Sequence, residues 1–269
     1  MPEFTAKDVQ SLRNLTGAGM MDAKRALTES GGDPRAAAKW LRERGLGKAA
    51  ERAGREAQEG AVAVSYDSGT NAIALVQLRS ETDFGAKSPD FVNLVNELAT
   101  LVATEGEDAV GQRKAAVEDL NIITRENVQV GEVVRFQAAP GDVLGWYLHV
   151  QNDRGVNGVV LELSGGDDEL AHDIAVHIAF GKPKYLRRED VPTEEVDAER
   201  ETLLTATRLE GKPEAALGKI VEGKLAGWYK RVPGGVLLEQ PYAKDDSRTV
   251  ADVLGKAEVV RFAQVVIGG

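Results

Sequence analysis

The sequence predicts an α+β protein, and three observations carry that prediction. Apolar residues recur at helical spacing up to about residue 45 and switch to strict alternation from residue 61. The same order of alternation followed by helical spacing then returns over residues 146 to 178. Finally, the pentapeptide Glu132-Val133-Val134-Arg135-Phe136 reappears as Glu258-Val259-Val260-Arg261-Phe262, at the corresponding point of the second order.

The elements follow in chain order. Thr5 with Asp8 three residues on is a helix start, and Val9, Leu12 and Leu15 form its apolar stripe up to Gly17. A second helix carries Met20, Ala23, Ala26 and Leu27 and stops at Gly31 and Gly32. A third opens with Asp33 as cap and Pro34 in its first turn, and places Ala37, Trp40 and Leu41 inward before Gly45. Residues 46 to 60 are alanine-rich and charged with no apolar stripe, which predicts a linker, helical in part. Val62, Val64 and Tyr66 alternate into a turn at Asp67-Ser68-Gly69, and a hairpin partner follows over Ala72 to Leu78. Phe91, Leu94, Val95, Leu98 and Val102, behind a Ser88 cap and Pro89, give the clearest amphipathic helix of the chain, which must pack on that hairpin.

The second unit repeats this plan. Its strands are Trp146 to Val150 and Val159 to Leu163, joined by a turn through Asn152, Asp153 and Gly155, and its helix holds Leu170, Ile174 and Ile178 behind Asp167 and Asp168. Residues 192 to 230 interrupt it. Thr193 is read as the cap of a helix led by Glu194 and Glu195, Gly211 to Pro213 turn the chain, and Leu217, Ile220, Val221, Leu225 and Trp228 face back on Val196, Leu203 and Leu204. The predicted organisation is a helical module at 1–46, a linker at 47–60, a core subdomain at 61–139, a second one at 140–191 and 231–269, and an antiparallel helical hairpin inserted at 192–230.

Composition excludes several function classes. The chain has 269 residues, 42% of them hydrophobic and 28% charged, enough for a real core and more than one domain. No apolar run is long enough to span a membrane, and the first residues lack a signal-peptide pattern, so a cytoplasmic protein without a membrane partner is expected. With no cysteine there is no disulfide, thiolate metal site or cysteine nucleophile. A net charge of −10 repels a phosphate backbone, so direct nucleic-acid binding is not expected. The charge is uneven: residues 1 to 60 hold 11 Lys and Arg against 9 Asp and Glu, a mildly basic head on an acidic body.

Catalytic patterns are missing as well. There is no phosphate-cradling G-x-x-x-x-G-K-[ST] loop, no G-x-G-x-x-G after a strand and no G-x-S-x-G elbow, so the chain is not itself a GTPase. His172 and His177 share a predicted helix at a spacing that suits no metal, and His149 stands alone, so neither metal nor cofactor is expected. Two places break local rules instead. Thr16 to Met21 sets two large flexible side chains, Met20 and Met21, at a glycine-rich turn: one methionine in a thin core, or a contact for a partner. Glu81-Thr82-Asp83-Phe84-Gly85-Ala86-Lys87 puts an aromatic ring in a polar loop, where Phe84 ordinarily folds back on the core, and the alternative is an anchor presented to a pocket.

These two stretches carry a resemblance. Leu15 to Leu27 resembles one signature of the bacterial elongation factor Ts family, and Glu81 to Lys87 resembles the other. Similar short stretches follow in family order at Gly141 to Gly145, His177 to Ala179 with Lys182-Pro183, Val221 to Lys224 and Gln240-Pro241. The resemblance implies a ubiquitin-associated-like helical head, a core of two related subdomains, an inserted helical hairpin, and a non-enzymatic activity: binding elongation factor Tu and promoting release of its GDP. It further implies that Thr82, Asp83 and Phe84 meet that partner, with the Phe84 ring entering an apolar crevice, and that Met20, Met21 and His149 add contacts. Gly85 departs from the family pattern, where Val is frequent, and is expected to loosen the loop. Thr124 falls near where relatives can carry an apolar contact residue, so that role is not carried over, and the extra C-terminal helix of some members is not expected before Gly269. A peptide-binding adaptor using the head alone, or a metabolic enzyme built on His and carboxylates, are the rival classes; no spacing supports the second.

Overall fold

In the computed structural model, residues 4–268 are described. Helix α1 (Ala6–Thr16) begins as its sequence predicts: the Thr5 hydroxyl accepts from the Asp8 amide at 3.3 Å while the Asp8 carboxylate accepts from the Thr5 amide at 2.7 Å. Helices α2 (Met20–Glu29) and α3 (Pro34–Arg52) complete a head whose core is Leu12, Ala23, Ala26, Leu27 and Ala37. Two readings fail here. Leu15 lies outside that core, 76% exposed. Nor does α3 stop at Gly45. It runs on to Arg52, because this glycine serves packing: a Cβ there would lie 2.8 Å from Ile122 Cγ2, on a helix of the body.

The body stacks four layers. Strands β1 (Glu59–Asp67) and β2 (Ala72–Ser80) form the first hairpin, and β3 (Gln129–Gln137) adds antiparallel to β2. Between β2 and β3 come a single turn α4 (Asp83–Ala86), α5 (Pro89–Glu105), a 3-10 segment (Glu107–Arg113) and α6 (Lys114–Thr124). The second sheet joins β4 (Val143–Gln151), β5 (Arg154–Ser164) and β8 (Glu258–Val266) in the order β4-β5-β8, and α7 (Asp168–Gly181) covers it. Alternation along β1 and β2 explains the layering. Ala61, Ala63, Ala74 and Val76 face α5, whereas Val62, Ile73 and Leu75 meet Leu144, Val160 and Val265 of the other sheet. The sheets touch closely at β5, where a Cβ on Gly155 would overlap the Val62 carbonyl oxygen.

The repeated pentapeptides lie in β3 and β8, each the third strand of its sheet, yet they do not use equivalent faces. Leu163 pairs with Val259 and Glu162 with Arg261, so Val260 bulges out and the alternation slips by one. Phe136 therefore packs between the sheets while Phe262 leans on the α7 side.

Helices α8 (Thr193–Leu209) and α9 (Glu214–Tyr229) form the antiparallel hairpin. Leu225 and Tyr229 pack with Val196, Leu203 and Trp228 at its base. Thr193 is the first helical residue and not a cap; Pro192 holds that position and offers no side-chain hydrogen bond. A short ribbon, β6 (Pro241–Tyr242) with β7 (Asp245–Thr249), and α10 (Val250–Leu254) lead into β8. Among the described residues no helix is long and apolar enough to cross a membrane.

Candidate partner-binding face

Phe84 does not fold back. It sits in α4, 85% exposed, on a helical turn whose other face is buried through Gly85 and Ala86. Thr82 is the cap of this turn, its hydroxyl accepting from the Gly85 amide at 3.1 Å. Asp83 is exposed and bonded to Lys87 four residues on. That hydrogen bond, with the Lys87 charge and a smaller contribution from Arg154, holds the Asp83 carboxyl below the usual carboxylate range, so it is ionised at neutral pH.

The turn is held from behind by Glu126, two residues past α6. One carboxylate oxygen accepts from the Thr82 hydroxyl at 2.6 Å; the other accepts from the Thr82 amide at 3.1 Å and the Ser80 hydroxyl at 2.5 Å. A Cβ on Gly85 would stand 2.7 Å from the Glu126 carboxylate, so glycine at this position admits the acid rather than loosening the loop. Glu81 adds a further tie by accepting from the Asn127 amide at 2.7 Å.

Met20 and Met21 open α2 and both point outward, 44% and 74% exposed; neither enters the head core. With the exposed Leu15 they surround the Gly17 turn, which rests on Ile123. The head is seated on α6 by Gly45 against Ile122, by an ion pair between Arg42 and Asp119, and by Arg125 at 3.8 Å from Asp22. Between head and body runs an open groove of about 790 Å³. Arg125 is the left-handed residue that ends α6, φ 61°, and its neighbour is Glu126. Consecutive residues thus touch the methionine turn and the Phe84 turn.

His149 is exposed on β4, three residues before Asn152, its Nδ1 3.3 Å from the Tyr147 hydroxyl. Asn152 and Asp153, at φ 52° and 60°, make the two-residue turn into β5. Arg154, just after it, bonds the Gly60 carbonyl and Glu59, and its charge reaches Asp83. Strand β1 lies against both the β4-β5 hairpin, at Gly155, and the α4 turn.

His172 and His177 lie on α7, the first exposed and the second buried; among the described residues no group of His, Asp and Glu could hold a metal. Sequence reasoning missed Arg125 and Glu126, which follow a weakly patterned helix and act on residues more than 40 positions upstream.

The family described as "Elongation factor TS" matches residues 81–269. The chain is 41% identical to the elongation factor Ts of Renibacterium salmoninarum over 282 residues, covering 100% of both chains. It is 42% identical to that of Streptomyces griseus subsp. griseus over 280 residues, again covering 100% of both. Against that of Deinococcus deserti it is 38% identical over 276 residues, 97% of this chain and 99% of the relative.

Proposed function

The chain belongs to the elongation factor Ts family, and on that premise we propose that it binds elongation factor Tu carrying GDP and promotes release of the nucleotide by disturbing the magnesium and phosphate site. It acts in translation elongation as an exchange factor, without covalent chemistry of its own. The observation that carries the mechanism is the solvent-facing Phe84 ring on an anchored turn. An aromatic that could be buried at home and is instead held out on a stiff support is an anchor for a partner pocket. Asp83 beside it supplies an ionised acceptor. Met20 and Met21 grip a second area, and His149 a third, with Thr82 serving as the cap that shapes the turn.

The magnitudes favour a distributed grip. A nucleotide bound at nanomolar strength is held by about 12 kcal/mol. Speeding its release 10⁴-fold requires lowering the barrier by roughly 5.5 kcal/mol. Burial of one Phe side chain contributes about 1.5 to 3 kcal/mol, so Phe84 needs the methionines, Asp83 and His149. Linkage demands reciprocity: if the factor weakens GDP, GDP weakens the factor equally, and incoming nucleotide dissolves the complex.

In this reading α1 to α3 are a ubiquitin-associated-like head, the two sheet-and-helix halves are related subdomains, and 192–230 is an insertion in the second. The test is stopped-flow release of fluorescent GDP from elongation factor Tu. The parent chain should accelerate it by orders of magnitude, and Phe84→Ala should lose most of that acceleration with an unchanged thermal midpoint, because the ring touches little of its own chain. A Phe84→Ala variant as fast as the parent would remove the anchor from the mechanism; an inert parent would remove the function.

A further inference from the structure

Glu126 is half-buried beneath the Phe84 turn and pairs with no cation among the described residues. Both of its carboxylate oxygens nonetheless accept hydrogen bonds, from the Thr82 hydroxyl on one and from the Thr82 amide and the Ser80 hydroxyl on the other. A carboxylate collecting hydrogen bonds from the strand end and from the cap of one helical turn fixes the direction in which that turn leaves the sheet. Ser80 ends β2 and is itself buried, so the anchor reaches into the sheet. A four-residue helix has no stability of its own. Without the acid, Thr82 retains only its bonds within the turn, from the Gly85 amide to its hydroxyl and from the Ala86 amide to its carbonyl, and the Phe84 ring loses its fixed bearing.

We propose that Glu126 is a positioning residue for nucleotide exchange: it acts through Phe84, holding the ring outward at a set angle, and does not itself meet the partner. The inference rests on the exchange-factor reading. It differs from a general stabilising role because its effect exists only while the ring is there. Isosteric Glu126→Gln removes the charge that strengthens all three bonds and replaces one acceptor oxygen by a donor, so that at most two of them keep their direction, while volume is preserved.

The experiment is a double-mutant cycle on GDP release from elongation factor Tu, with the parent, Glu126→Gln, Phe84→Ala and the pair, and with thermal midpoints for each. Expected is a slowing of about tenfold for Glu126→Gln when Phe84 is present, equivalent to about 1.4 kcal/mol, and less than about twofold when Phe84 is already Ala. Ser80→Ala, which removes one of the three bonds, should fall between parent and Glu126→Gln. Equal slowing in both backgrounds would mean that Glu126 touches the partner or merely supports the fold, and would overturn the proposal. So would no slowing at all in a chain whose parent is active. An inactive parent instead overturns the exchange reading, so the two failures are distinguishable.

Discussion

His177 is the buried titratable residue whose surroundings make the sharpest statement about solution behaviour. Its Nδ1 accepts from the Ala243 amide at 3.1 Å, so Nε2 carries the proton and donates to Gln240 Oε1 at 2.9 Å. Burial lowers its pKa, with the Gln240 bond opposing more weakly. The unfolded imidazole takes up a proton near pH 6.5, the folded one only at lower pH. The contribution of the neutral ring is therefore complete above that value and falls as pH drops below it, at no more than about 1.4 kcal/mol per pH unit. Urea midpoints should decrease between pH 7.5 and 5.5 for the parent, and by less for His177→Gln. Gly155 makes a second residue-scale prediction. A methyl there collides with the Val62 backbone, and Gly155→Ala should cost about 1 to 3 kcal/mol in the same titration.

Among the elements, α9 is built against its own propensity. Gly218, Gly223 and Gly227 lie inside it, exposed, with nothing within 4 Å of where a Cβ would stand. Each weakens the helix by about 1 kcal/mol relative to Ala without a packing reason inside the chain. Gly218→Ala and Gly227→Ala should each raise stability by about 0.5 to 1 kcal/mol and slow amide exchange along α8 and α9. What sequence reasoning reached at this scale follows from length and period. The stripe of α5 and the alternation of β1, β2, β4 and β5 have one consistent phase and were readable. Helix α6 has a short, mixed stripe, and α10 and the β6-β7 ribbon are too brief to show any period. The cap of α8 is Pro192 where the sequence points to Thr193, because both residues suit a helix start. The outward pose of Phe84 had no local signal, since its cause, Glu126, is brought to it only by the third strand of the sheet.

At the scale of the whole molecule the two halves are locked and the head is perched. Glu162 is buried with its carboxylate bonded to Arg261 at 2.7 Å and to the Ala139 amide at 2.9 Å, while Arg261 also reaches the Gln137 carbonyl at 3.0 Å and lies over the Phe136 ring. Those bonds tie β5 and β8 to the end of β3. The head is seated by glycine contacts, by a bond from Arg52 to the Asn121 carbonyl at 3.1 Å, and by exposed ion pairs, each worth about 0 to 1 kcal/mol. Reversing one of them, Arg42→Glu, sets three acids together with Glu118 and Asp119 and should lift the head. Amide exchange in α1 to α3 should rise while the sheets are unchanged. The concentration of factor giving half-maximal GDP release should increase by about tenfold, with the maximal rate largely kept.

That last expectation turns on α3, which continues unbroken across Gly45 and carries the head on its final two turns as a rod rather than on a loose tether. In the proposed grip, docking of the Phe84 turn would deliver the methionines to their target at a high local concentration. The second contact then forms almost as an intramolecular step, with its search already completed by folding.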